Sequence, residues 1–170
     1  MNYFKLFDIK QSFDVDLSTL QKKYFNLQNT FHPDKYSTAS SRDKLLVLQK
    51  TSEINDAYNV LKNPISRAEH LLNINGIHFD SNKTIADDTF LFEQMELRET
   101  IEEVSNDIEN MQNKLEELSQ YVDAKYNKIL EQLNELIGIE NWNQVFLEVQ
   151  KLKFYSKLVT EIEDLEDKII

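Results

Sequence analysis

Apolar residues recur at helical spacing along nearly the whole chain. Leu17, Leu20, Tyr24, Leu27 and Phe31 are separated by steps of 3, 4, 3 and 4, which lays them on one face of an amphipathic helix. Asp16 is placed to cap that helix and Val15 to staple back onto Leu20, while Lys22 and Lys23 fall off the stripe and should face water. Upstream, Tyr3, Phe4, Leu6 and Phe7 predict a short helix. Pro33 ends the first long helix, because proline disfavours helical geometry in the residue before it. A polar loop from Asp34 to Ser41 follows, then a helix from about Arg42 to Lys62 with Leu45, Leu48, Ile54, Ala57, Tyr58 and Leu61 on its buried face. Asn63 and Pro64 read as the cap and first residue of a further helix that carries Ala68, Leu71 and Leu72 and is closed by Gly76. Residues 77–87 read as a linker.

From Asp88 the pattern becomes a heptad seam. Leu97, Ile101, Val104, Ile108, Met111, Leu115, Leu118 and Val122 alternate steps of 4 and 3, and Tyr126, Ile129, Leu133 and Leu136 continue the line. Two structures satisfy this seam: a single helix over 88–137, about 75 Å long at ~1.5 Å per residue, or an antiparallel hairpin turning near Asn110–Lys114. Gly138 is expected to cap the end of this region. Asn141 is expected to cap a last helix, with Gln144 completing a capping box and Trp142, Val145, Val149, Leu152, Tyr155, Val159 and Ile162 buried.

Several apolar residues do not fit these seams. With Leu97, Ile101, Val104 and Ile108 as the buried face, Phe90 joins it, but Leu91, Phe92 and Met95 project about 120–160° away at ~100° per residue. Glu96 and Glu99 flank or join them. On the last helix Phe154 lies about 160° from Leu152 by the same geometry, with Leu147, Leu158 and Leu165 on its side. Apolar anchors with an acidic rim suit a modest protein–protein patch.

Composition narrows the class. The chain has only 2 glycines and 2 prolines in 170 residues, too few for the turns of a sheet protein, so an all-α fold is expected. It has no cysteine, which excludes disulfides and thiolate ligation of zinc or an iron–sulfur cluster. The N-terminus lacks the basic start and apolar run of a signal peptide, and no segment approaches the length of apolar chain needed to cross a bilayer. A soluble cytoplasmic protein with no membrane partner is expected. The net charge of -11 is uneven: residues 1–80 hold 10 basic and 9 acidic side chains, residues 81–170 hold 9 and 21. Such asymmetry suggests two units with different partners, and an acidic half repels phosphate backbones, which argues against a nucleic-acid ligand.

The chemistry of an enzyme is missing. The histidines are His32, in the loop after the first long helix, His70, expected to be a partly exposed helical residue, and His78 in the linker. There is no HExxH, no glycine-rich phosphate loop and no nucleophile motif, so no catalytic residue, metal ligand or cofactor is expected.

The loop His32-Pro33-Asp34 between two amphipathic helices resembles the J domain, and the match extends well beyond the triplet. Tyr3-Phe4-x-Leu6-Phe7 opens the chain, Tyr24-x-x-Leu27-x-x-x-Phe31-His32-Pro33-Asp34-Lys35 forms the hairpin, and Ile54-Asn55-x-Ala57-Tyr58-x-x-Leu61 with Pro64 and Arg67 follows. Within J proteins the chain is similar to the HscB family, through Leu61-x-x-Pro64-x-x-Arg67-Ala68-Glu69-x-Leu71-Leu72, the run Asp88 to Glu99 and the segment Lys151-Leu152-Lys153-Phe154. No Gly/Phe-rich linker and no CxxC repeat follows, unlike the general DnaJ type.

The resemblance implies an all-α chain with a J-domain helical hairpin over 1–76, a linker over 77–87 and a C-terminal three-helix bundle over 88–170. It implies a co-chaperone of iron–sulfur cluster assembly that stimulates the ATPase of a DnaK-type chaperone (HscA) and delivers the cluster scaffold protein (IscU) to it. The matching chaperone contact is His32, Pro33 and Asp34, with Lys22, Lys23 and Lys35 able to steer toward an acidic surface. The matching scaffold contact is Leu91, Phe92, Met95, Glu96 and Glu99 with Lys153 and Phe154. The alternatives are an adaptor or coiled-coil structural protein with a J-like hairpin, which the long seam favours, and, least supported, a metal-dependent enzyme.

Overall fold

The computed structural model describes residues 1–78, 87–106 and 111–167. Over these the chain forms seven α-helices, one 3₁₀ turn and no strand. It divides into two units, Met1–His78 and Phe79–Ile170.

In the first unit, helices α1 (Tyr3–Leu6), α2 (Leu17–Thr30), α3 (Ser41–Lys62) and α4 (Pro64–Ile74) surround one core. Each start carries its own cap: Asn2, Asp16, Ser40 and Asn63 accept hydrogen bonds from backbone N–H groups of the following turn. α2 and α3 run antiparallel, because contacts pair residues in reverse order. The Tyr24 ring stacks on Tyr58 at 4.1 Å, the Tyr24 hydroxyl donates to Asn55 Oδ1 at 3.1 Å, and the Thr51 hydroxyl donates to the Phe31 carbonyl at 3.1 Å. Phe4, Phe7, Phe13, Leu20, Ile54, Ala57, Leu61, Ala68, Leu71 and Leu72 fill the interior.

The structure corrects the expected faces here. Leu17 is half exposed, Leu45 and Leu48 are each more than half exposed, and Val47 is buried instead. Among the described residues the first half of α3 buries Val47 alone, and Ile54, Ala57 and Leu61 complete its buried line. His70, expected to be partly exposed, is buried: its Nε2 accepts from the Tyr3 backbone N–H at 3.1 Å and its ring stacks on Tyr3 at 4.3 Å, which ties α1 to α4. Gly76 closes α4 as expected. At φ +77° it occupies the left-handed region, and the Ile77 N–H donates to the Leu72 carbonyl and the Gly76 N–H to the Asn73 carbonyl, a Schellman motif.

The second unit holds α5 (Asp88–Asn106), α6 (Met111–Gly138) and α7 (Trp142–Glu166). The open choice over 88–137 resolves to the hairpin. Glu93 Oε1 lies 2.7 Å from Lys125 Nζ, whereas a continuous helix would hold those residues about 48 Å apart. Residues 107–110, which include Ile108 and the first part of the expected turn, lie outside the described residues. Leu97, Val104, Met111, Leu115, Leu118, Val122, Ile129 and Leu133 are buried along the seam. α7 packs antiparallel to α6 and presents a second face to α5. Phe90 meets Phe154, and Arg98 pairs with Glu161, so α5 and α7 run parallel.

That double packing corrects the expectation for Leu158, which is fully buried rather than on an open side with Phe154, while Trp142 and Val159 are half-buried. Gly138 is not the left-handed cap of α6. Glu140 is, at φ 57°, with the Asn141 N–H donating to the Leu136 carbonyl and the Glu140 N–H to the Ile137 carbonyl. Asn141 caps α7, but its own N–H donates to the Leu136 carbonyl rather than to the Gln144 side chain, whose amide donates to Glu148, so the box is half-formed.

Candidate functional surfaces

The loop between α2 and α3 is shaped by its own residues. Pro33 holds His32 extended at φ -65°, ψ 128° and starts a 3₁₀ turn over Pro33–Tyr36, where an open polar loop was expected. His32 Nδ1 accepts from the Asp34 N–H at 3.3 Å, and the Lys35 N–H donates to the His32 carbonyl at 3.0 Å. The bond to Nδ1 leaves the proton of the neutral ring on Nε2, which points a donor away from the turn. The base of the loop is tied to α3 through Thr51 and Phe31, and the Tyr36 hydroxyl donates to the Thr30 carbonyl.

The side chain of Asp34 is 91% exposed, and its contact inside the chain is with His32 Nδ1 at 3.6 Å. The result is a rigid presentation of a carboxylate and an imidazole in water, with little conformational entropy left to lose on binding. Lys35 in the turn and Lys22 on α2 are exposed. Lys23, expected to face water, instead reaches back to the chain before α2, where its ammonium donates to the Asp8 carboxylate at 3.0 Å and to the Asp8 carbonyl. A third of its side chain remains exposed, so it contributes less free positive charge than Lys22.

The second surface lies on α5 and α7. Phe92 and Met95 are each 68% exposed, an unusual cost for such large apolar groups, with Glu96 and Glu99 exposed on the same face and Leu91 half-buried. Met95 and Glu99 line an open groove of about 560 Å³ together with Gln94, Arg98, Glu102 and Phe154. Phe154 is half-buried at its floor, edge-on to Phe90 at 5.5 Å, with the Arg98 guanidinium over its ring at 5.7 Å. Lys153 is half-buried beside it on α7. Sequence reasoning missed Gln94, Arg98 and Glu102. Their spacing of four residues was the signal, since it puts them on one stripe of α5.

A partly exposed polar cluster joining α5 to α6 and α7 fixes how α5 sits. The carboxylate of Glu93 accepts from Lys125 and from the Tyr121 hydroxyl, each at 2.7 Å. Burial pushes this carboxyl up, but bonds from Lys125, Tyr121 and Tyr155 outweigh it and hold it below its ordinary value. Tyr155 on α7 is driven far above the usual phenol value by burial and by that same carboxylate. Lys151 binds Asp87 at 3.2 Å and Glu148 at 3.4 Å, which ties the start of α5 to α7. These links give a surface with a defined shape from residues that the seam alone does not predict.

Among the described residues no cluster of His, Asp or Glu is arranged to hold a metal, and no helix is long and apolar enough to cross a membrane. Residues 2–70 match the DnaJ domain family, and residues 86–163 match the family described as HSCB C-terminal oligomerisation domain. A Co-chaperone protein HscB homolog of Vibrio vulnificus is 44% identical over 170 residues, covering 99% of each chain. The solved structure of chaperone HscB from Vibrio cholerae superposes with a TM-score of 0.90 at 39% identity, covering 100% of both chains. Human co-chaperone protein HscB superposes with a TM-score of 0.89 at 28% identity, covering 96% of this chain and 81% of that one.

Proposed function

The chain belongs to the HscB family of J-domain co-chaperones, which act in iron–sulfur cluster assembly with a DnaK-type chaperone, and from that premise we propose how its two surfaces divide the work. His32, Pro33 and Asp34 are the contact that triggers ATP hydrolysis on the chaperone, of the HscA kind, in the bacterial cytoplasm. Residues 1–76 carry this task as the J domain, residues 77–87 link, and residues 88–170 bind the scaffold. Asp34 supplies a charged acceptor suited to an arginine on the chaperone, and His32 supplies a donor. Lys22 and Lys35, with a smaller share from Lys23, steer the encounter with an acidic surface. The chain itself catalyses nothing: hydrolysis takes place on the partner.

The C-terminal patch holds the scaffold protein, of the IscU kind, while the loop engages the chaperone. Phe92 and Met95 are the apolar anchors, Leu91 and Phe154 extend them, and Glu96, Glu99 and Lys153 form a polar rim. The cluster is cargo carried by the scaffold, in keeping with the absence of cysteine from this chain.

The observation that carries the first assignment is the loop: a rigid turn that exposes 91% of the Asp34 side chain without giving it structural work. Asp34→Asn is expected to abolish ATPase stimulation and leave the helical circular dichroism unchanged. Full stimulation by the folded variant would remove the loop from the mechanism. For the patch, the Phe92→Ala/Phe154→Ala double variant is expected to weaken scaffold binding at least tenfold, at about 1–2 kcal/mol per anchor, and to keep stimulation of the chaperone alone. Unchanged scaffold affinity would make the patch structural.

A further inference from the structure

Asn75–Gly76 is the single Asn-Gly pair in the chain, and both residues are exposed at the end of α4. In such a pair the backbone nitrogen of the glycine is able to attack the side-chain carbonyl of the asparagine, because no side chain on the second residue obstructs the approach. We infer that Asn75 is a site of spontaneous deamidation whose reaction is locked by the helix cap and released when the cap opens. Three features of the cap oppose the attack. The Gly76 N–H donates to the Asn73 carbonyl at 3.1 Å, which disfavours loss of the proton that makes this nitrogen nucleophilic. The Asn75 side-chain amide donates to the Leu71 carbonyl at 2.8 Å, which fixes the group to be attacked. Asn75 sits at ψ 15°, where its Cβ and the Gly76 nitrogen are far from the eclipsed arrangement that a five-membered ring requires.

When the cap opens, the Gly76 nitrogen bonds to Asn75 Cγ. The Cγ–Nδ2 bond breaks, and Nδ2 leaves as ammonia with the proton given up by Gly76. Solvent water then adds to one carbonyl of the cyclic imide. Opening at one C–N bond gives aspartate, and opening at the other gives isoaspartate, whose main chain is longer by one methylene. Both products bring a negative charge to a helix C-terminus, where the helix dipole disfavours it, and isoaspartate also breaks the spacing of the Schellman bonds. Conversion is therefore a one-way record of the opening of α4 at the end of the first unit.

The test incubates the full chain in mildly alkaline buffer, folded and in concentrated urea, and follows the tryptic peptide after Arg67 by mass spectrometry and isoaspartate-specific methyl transfer. The unfolded chain is expected to convert readily and the folded chain at least about tenfold more slowly, since reaction then waits on local opening. Ile77→Gly, which loosens the cap, is expected to speed the folded reaction, and Asn75→Gln to abolish it in both states. Equal rates in the folded and unfolded chain, or no acceleration by Ile77→Gly in a chain that remains helical, would overturn the cap as the lock. No conversion in urea would overturn the site itself.

Discussion

Arg67 offers the sharpest test of how the first unit is held together. Its guanidinium is buried, with 7% of the residue exposed, and its hydrogen bonds among the described residues go to backbone carbonyls. Its Nε donates to the Leu61 carbonyl at 2.7 Å, Nη1 to the Phe13 carbonyl at 2.7 Å and Nη2 to the Lys62 carbonyl at 3.3 Å. Leu61 and Lys62 end α3, where carbonyls lack partners within the helix and the dipole favours a cation. Phe13 belongs to the chain between α1 and α2, so one side chain ties that segment, the end of α3 and the start of α4 together.

Replacing Arg67 by Met keeps the apolar stem and removes the donors. The two short charge-assisted bonds are worth about 1.5–3 kcal/mol each. Burial works against the charge and pulls the guanidinium pKa down, and its removal recovers part of that cost. A net loss of about 3 kcal/mol is expected, a large share of the roughly 4–12 kcal/mol available to a unit of this size. Urea unfolding by circular dichroism, with hydrogen exchange of the α4 amides as the local readout, measures it. Arg67→Lys should restore less than half, because a point charge cannot serve two carbonyls as a fork does. A loss below about 1 kcal/mol for Arg67→Met would refute the reasoning, for it would mean that the freed carbonyls find other donors.

Two further outcomes follow from single residues. Burial, then the nearby N-terminus, hold the pKa of His70 below its ordinary value, so its neutral form stabilises the first unit fully above about pH 6.5. That contribution is lost as pH falls through the lowered folded value. Thermal unfolding from about pH 7.5 to about pH 5.5 should therefore be steeper for the parent than for His70→Gln, and parallel curves would count against it. Glu140 occupies the left-handed region at φ 57°, so Glu140→Gly should stabilise the α6–α7 turn by roughly 0.5–1 kcal/mol in urea unfolding, and a loss of stability would show that its side chain has work of its own.

How much of this was legible follows from what kind of force decides each feature. Helices fixed by periodicity and caps were readable: Asp16, Asn63 and Asn141 cap where their side chains predict, and Leu20, Ile54 and Leu61 are buried as their spacing requires. The position of the loop between α2 and α3 was readable because its motif is local, though its 3₁₀ turn was not. Features decided by what lies opposite were not. Leu45 and Leu48 have the right spacing but stay more than half exposed, and Leu158 looks peripheral until α5 packs on α7. The seam from Leu97 to Leu136 is the same for a rod and a hairpin, since a heptad line has no direction. What breaks the tie is the bond of Lys125 and Tyr121 to Glu93, a pairing at separations that no periodicity encodes.

The two surfaces are built on opposite principles, and this determines how each responds to substitution. At the loop the backbone makes the shape, through Pro33 and the 3₁₀ turn, and the carboxylate of Asp34 is spare to the fold. Its removal therefore tests the proposed chaperone contact without a folding effect. On the patch the side chains make the shape, and their work is unevenly shared. Phe92 and Met95 stand mostly in water and contribute little to folding, so their truncation probes binding alone. Phe154 is different: it packs against Phe90 and carries the Arg98 guanidinium, which in turn pairs with Glu161, so its truncation disturbs the contact between α5 and α7 as well as the groove. For the proposed scaffold contact, an affinity lost with Phe154 alone would mix two causes, whereas one lost with Phe92 or Met95 would report on the contact itself. Because Glu93, Lys125 and Tyr155 fix α5 from its buried side, the anchors hold their spacing while standing mostly in water.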